Sequence, residues 1–183
     1  MSRLKQTAVM VVLAVMLLPV IHFAQGKKKQ DVWKPLKFFV GSWEGRGEGR
    51  PGVSKVEREY KFVLQDKFLE TRNKSVYEPQ EDNTKGEVHE DWGLFSYDED
   101  RGKFVFRQFH VEGFVNRYLL DSLSSDGKTL VFVTEAIENF WPNWKARETY
   151  RILNDDEFTE TFELAPPDMD FELYMTNHFK RKR

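Results

Sequence analysis

Beyond Gly41 the chain alternates apolar and polar side chains with a period of two, the mark of half-buried strands rather than of helices. The alternation stops at clusters that favour turns: Pro51-Gly52, Gln65-Asp66, Asp98 to Gly102, Glu112-Gly113, Ser124 to Gly127, Asn154 to Asp156 and Pro166 to Asp168. The pattern predicts ten strands, at 41–50, 54–64, 67–77, 86–97, 102–111, 113–121, 128–136, 144–153, 157–164 and 170–181. Connections this short dictate an antiparallel meander, and a meander of so many strands removes its exposed edges by closing on itself. The expected fold is all-β: a closed antiparallel up-and-down β-barrel of about ten strands, with room inside for one small ligand. Just upstream, Val32 to Val40 reads as a short helical turn whose Leu36 and Phe39 plug one open end.

The first strand, Gly41-Ser-Trp-Glu-Gly-Arg-Gly-Glu-Gly-Arg50, places Trp43, Gly45, Gly47 and Gly49 on one face. A strand face with so few side chains marks a bend, or the close approach of a backbone or a ligand. Two readings follow. The glycines let the strand coil around a small barrel, or they leave room for a bulky flat ligand.

The N-terminus follows other rules. Arg3 and Lys5 precede an uncharged, mostly apolar run from Ala8 to Ile21, and Ala24-Gln25-Gly26 supplies small residues for cleavage. Residues 1–26 are therefore expected to be a secretory signal peptide cut after Gly26, which places the protein in the periplasm or outside the cell. A retained anchor is the alternative, although 14 apolar residues fall short of the roughly 20 that span a bilayer. The expected organisation is signal 1–26, lid segment 27–40 and barrel 41–183, with no membrane span left after cleavage.

Composition narrows the chemistry. There is no cysteine, hence no disulfide, no lipidation site and no thiol nucleophile. The 28 basic and 30 acidic residues give a net charge of −2, about −4 once Arg3 and Lys5 are set aside, and no reason to expect nucleic acid as a partner. Neither a Gly-x-Ser-x-Gly elbow nor a phosphate loop is present.

Taking in each strand the face richer in apolar side chains gives an aromatic interior that also carries charge. It includes Val56, Arg58, Tyr60 and Phe62; Val88, Glu90, Trp92 and Leu94; Gln108 and His110; Asn116 and Tyr118; Glu148 and Glu160; and Phe171, Leu173 and Met175. Buried charges are costly unless paired, so these polar groups either satisfy one another or await a ligand. The candidate ligand-binding residues are Trp43, Arg58, Tyr60, Glu90, Trp92, Gln108, His110, Asn116 and Tyr118, with Arg58 the natural partner of a carboxylate. Glu90 and Glu148 are a conceivable acid–base pair whose separation the sequence does not fix. His110 lies on the inner face, His89 and His178 on outer faces, and no two histidines show a zinc-ligand spacing.

The stretch Leu36-Lys-Phe-Phe-Val-Gly-Ser-Trp-Glu-Gly-Arg-Gly-Glu-Gly49, with Glu90 to Tyr97 and the basic tail Asn177 to Arg181, resembles the nitrobindin-like, haem-binding β-barrel domains of the calycin group. The resemblance also extends to exported bacterial lipocalin-like relatives. It implies a ten-stranded barrel and haem b held through a histidine on or near the last strand, by position His178, with His110 as the alternative set by strand phase. The readings are then an exported barrel binding a small apolar molecule with a polar or acidic group, a haem protein acting on reactive nitrogen or oxygen species, and a filled barrel serving as a structural or protein-interaction domain. Enzymatic activity is expected only in the haem case, as isomerase-like chemistry.

Overall fold

A computed structural model of the chain describes residues 31–81 and 83–183, so the expected signal peptide and the start of the lid segment lie outside the described residues. The ten strands form where the alternating pattern places them: β1 (Gly41–Gly49), β2 (Gly52–Val63), β3 (Phe68–Tyr77), β4 (Glu87–Asp98), β5 (Lys103–His110), β6 (Val115–Leu123), β7 (Thr129–Glu138), β8 (Lys145–Asn154), β9 (Glu157–Ala165) and β10 (Glu172–Arg181). Each pairs antiparallel with its sequence neighbour, and β1 pairs with β10 to close the barrel. Among the described residues no helix is long and apolar enough to cross a membrane.

The lid forms as a single 3-10 turn, Lys37–Phe39. Its Leu36 and Phe39 are buried among Tyr60, Phe95, Phe132 and Tyr150, and this packing closes one end of the barrel. Trp43 is fully buried beneath the lid and donates its indole Nε1–H to the Phe39 carbonyl at 2.7 Å. From the other end of the chain, Arg181 donates to the carbonyls of Val40 and Phe38 and lies 4.1 Å from the Trp43 ring. The floor is thus pinned by both termini of the barrel.

The strands share one axial order. Near the lid each contributes an apolar inner side chain, such as Leu69, Phe95, Phe106, Leu130, Phe158 or Phe179. Farther along, the same strands turn polar inside, through Arg58, Asn73, Asp91, Gln108, Glu148, Glu160 and Asn177. The apolar stack at the floor, with Phe95 and Phe106 parallel at 4.0 Å, supplies the main driving force for folding.

The glycine face of β1 is filled by its neighbours. A Cβ on Gly45 would stand 2.5 Å from the His178 carbonyl oxygen, and one on Gly47 2.5 Å from both Asn177 Oδ1 and Ser54 Oγ. The glycines let β1 and β10 approach closely at the seam. They do not form an open wall for a flat ligand.

Two faces differ from expectation. In β4 the inner residues are Asp91, Gly93 and Phe95, while Val88, Glu90 and Trp92 lie outside, so Glu90 and Trp92 leave the candidate set. In β10 a bulge between Leu173 and Met175 shifts the phase, leaving Leu173 exposed while Asn177 and Phe179 are buried.

Candidate functional site

The end of the barrel away from the lid is open. There Phe114 and Asn116, the β7–β8 connection with Phe140, Trp141 and Trp144, and Phe162, Leu164 and Tyr174 line a cavity of about 460 Å³. Trp141 packs against Trp144 at 5.2 Å yet is 65% exposed, so this rim displays aromatic surface to solvent. Below it, sharing Glu112, Phe114, Phe162 and Tyr174 with the rim, lies a polar chamber of about 190 Å³ that reaches Arg58, Asp91, Gln108 and Glu148.

Much of the chamber is internally paired. Arg58 donates to both carboxylate oxygens of Glu160 at 2.6 and 2.9 Å, to Asn73 Oδ1 at 2.9 Å and to the Tyr60 hydroxyl at 3.2 Å. All four residues are buried. The pair holds the Arg58 guanidinium charged: burial opposes the charge, and the adjoining Glu160 carboxylate outweighs it. Four of the five Arg58 N–H donors are thus taken up inside the protein, and a ligand carboxylate would have to compete with Glu160 for the fork.

Glu148 sits deeper, accepting a bond from the Tyr150 hydroxyl at 2.5 Å. Burial and then the Glu160 charge push its carboxyl up to about 8, so that it is protonated at neutral pH. The expected pairing of Glu148 with Glu90 does not arise, because Glu90 is on the outer surface.

Asp91 is the opposite case. Burial would raise its carboxyl, but the neighbouring His89, the Arg58 charge and the bond from Gln108 hold it down at about 2. Its Oδ2 accepts from Asn73 at 2.8 Å and its Oδ1 from Gln108 at 3.0 Å. Neither Asp91 nor Asn73 stands out in the sequence as a site residue. The polar inner face of β3, Thr71-x-Asn73-x-Ser75, carries no apolar bias that would mark it as interior.

Of the expected site residues, the barrel gathers Arg58, Gln108, His110 and Asn116 around the open end, with Tyr60 and Tyr118 just below. Trp43 belongs to the floor. Several buried polar atoms have no protein partner: Gln108 Oε1, Asn116 Oδ1, Asn177 Oδ1 and His110 Nδ1 among them. Three of these four are hydrogen-bond acceptors.

A haem held through His178 would need that side chain to face the interior of the barrel. His178 is on the outer wall, its ring 46% exposed and its Nε2 3.3 Å from Glu157. The glycine face is closed by β10, and His110 stacks on Phe114 at 4.0 Å with its Nδ1 buried. These residues do not fit a haem held inside the barrel through His178.

No protein-family model matches the chain, and no curated protein matches it in sequence. Solved structures do resemble it. Rv2717c from M. tuberculosis superposes with a TM-score of 0.65 at 17% identity, over 84% of this chain and 98% of its own. The S-type phycobiliprotein lyase CPES from Guillardia theta superposes with a TM-score of 0.55 at 14% identity, over 85% of this chain and 94% of its own. At these identities the likeness shows the fold alone, a closed antiparallel β-barrel.

Proposed function

We propose that this protein is an exported small-molecule binding barrel, which takes an apolar, in part aromatic, ligand through its open end. The observation that carries the reading is the junction of an aromatic rim with a polar chamber whose buried acceptors lack donors. An apolar cavity with a few convergent polar groups is the ordinary form of a ligand site. The apolar body would lie on Phe114, Phe140, Trp141 and Trp144. Its polar end would be a donor such as a hydroxyl or amide, because the unpartnered groups are chiefly acceptors and a carboxylate would have to displace Glu160 from Arg58.

The test is a thermal-shift and tryptophan-emission screen of the chain from residue 27 with matched long-chain alcohols, amides and acids and with hydroxylated aromatic compounds. A ligand present at 100 times its Kd stabilises the folded state by about 2.7 kcal/mol, and alcohols or amides are expected to outperform the corresponding acids. Trp141→Ala with Trp144→Ala should weaken the best ligand about tenfold or more. If nothing in the panel moves the melt, the filled-barrel alternative, a structural or interaction domain, replaces this reading. Export is checked separately, by sequencing the N-terminus of protein recovered from a bacterial periplasm and looking for a start at Lys27.

A further inference from the structure

Beside the chamber, three side chains from different parts of the sequence converge. His89 on β4, His110 at the end of β5 and Glu112 in the turn that follows each offer a ligand atom, all within 4.8 Å of one another. The β4–β5 register, which pairs Asp91 with His110, brings the two histidines together, and the tight turn closed by the bond from Gly113 N–H to the His110 carbonyl carries Glu112 back over them. We propose that His89, His110 and Glu112 form a binding site for one borderline divalent cation of the Zn²⁺ class.

A histidine beside a carboxylate could be no more than a surface ion pair, and His89 Nδ1 and Glu112 Oε1 are indeed 2.7 Å apart. The third member argues for more. His110 Nδ1 is buried without a partner, a state that is unfavourable unless something else occupies it. Its Nε2 lies 3.1 Å from the Asn116 amide nitrogen, while Asn116 Oδ1 is also unpartnered. A half-turn of that amide lets His110 Nε2–H donate to Oδ1, with the Tyr118 hydroxyl, which now accepts from Nδ2, donating to Oδ1 instead, and leaves a free lone pair on Nδ1. Metal-bound histidines are typically fixed by such a bond from the other ring nitrogen.

His89 has the matching support. Its Nε2 faces Asp91 Oδ2 at 3.7 Å, and Asp91 is fixed by Asn73 and Gln108. At that separation the carboxylate is a neighbouring charge and not a hydrogen-bond partner; it favours the tautomer with the proton on Nε2, which leaves Nδ1 for a metal. The cation would replace the proton now shared between His89 and Glu112. Two imidazoles and one carboxylate suit Zn²⁺, Co²⁺, Ni²⁺ or Cu²⁺ better than Ca²⁺ or Mg²⁺. With three protein donors a tetrahedral ion keeps a fourth position open, here at the edge of the chamber that these side chains line. The sequence conceals the site because its ligands are 21 and 2 residues apart, outside zinc-motif spacings.

The experiment titrates the chelator-treated chain with Zn²⁺ against a chromogenic chelator, and with Co²⁺ followed by its visible absorption, in wild type, Glu112→Gln, His89→Gln, His110→Gln and His178→Ala. The expected result is one ion per chain, binding weakened at least about tenfold in each of the first three variants and unchanged in His178→Ala. Glu112 is exposed on a turn, so Glu112→Gln should fold normally, with far-UV circular dichroism as the check. Absence of binding at millimolar Zn²⁺, binding that survives Glu112→Gln and His110→Gln, or binding abolished by His178→Ala would each overturn the proposal. The titration uses metal alone, so its failure leaves the small-molecule reading intact, and the converse holds.

Discussion

Arg58 and Glu148 are ionisable side chains buried in the interior. Because Arg58 and Glu160 are both buried and bonded at two points, removing one partner strands a charge. Arg58→Ala is therefore expected to cost about 3–5 kcal/mol, read from the urea midpoint at constant m-value. Glu148 acts through protons. Tyr150, Tyr118, Glu160, Arg58 and Asp91 are the ionisable groups around it, and its folded carboxyl titrates at about 8 against an ordinary 4.5. Across that window the folded chain holds a proton that the unfolded chain has released, so stability falls as pH rises from about 4.5 to about 8 and then levels. Glu148→Gln keeps a neutral amide in its place. It should raise the Tm at pH 8.5 by about 2–4 °C for each kcal/mol recovered, with the gain shrinking toward pH 5. A gain independent of pH would show that Glu148 is ionised in the folded protein.

At the level of elements, the β1–β10 seam depends on what opposes each glycine. The atom facing Gly45 is a backbone carbonyl, whereas those facing Gly47 are the ends of the Asn177 and Ser54 side chains, which can rotate. Gly45→Ala should consequently destabilise more than Gly47→Ala, by a margin of about 1 kcal/mol or more in parallel denaturation curves. Strand existence was legible in the sequence to within about two residues, because turn chemistry and period two agree at most boundaries from Gly41 onward. Facing was legible only where the interior is apolar. β4 fails because its inner face carries no apolar side chain over this stretch: His89 and Asp91 line the polar chamber, and Gly93 leaves room for Phe106. Its outer Trp92 is covered by the Arg72 guanidinium at 5.0 Å and flanked by Phe109. A rule that equates apolar with inside inverts under those conditions. The His89–His110–Glu112 group was hidden for the same reason, since it follows from strand register and not from spacing.

For the whole molecule, the separate titrations add to one profile. Asp91, held at about 2, stabilises above its ordinary 3.8, and that contribution is lost as pH falls toward 2. His89 is raised to about 9 because Asp91 and Glu112 together outweigh its burial. Its contribution is complete below about 6.5 and lost as pH rises through 9. His110, which burial pushes down to about 4 from an ordinary 6.5, acts the other way: its contribution grows as pH rises from about 4 to 6.5 and offsets the fall from Glu148 over that range. Maximal stability is therefore expected between about pH 4.5 and 6.5, and melting curves from pH 3 to 10 would reveal it; a maximum above pH 7.5 would contradict these assignments. The axial order of the interior, apolar at the lid and polar toward the rim, bears on how such a protein can change. Substitutions near Phe39, Trp43 and Phe158 strike the part that drives folding, whereas those at Phe140, Trp141 and Trp144 would, under the proposed function, alter what is recognised while leaving that foundation in place. Lineages descended from such a barrel could exchange one guest for another by drift at the rim alone, so that orthologues sharing every floor residue would have no obligation to share a ligand.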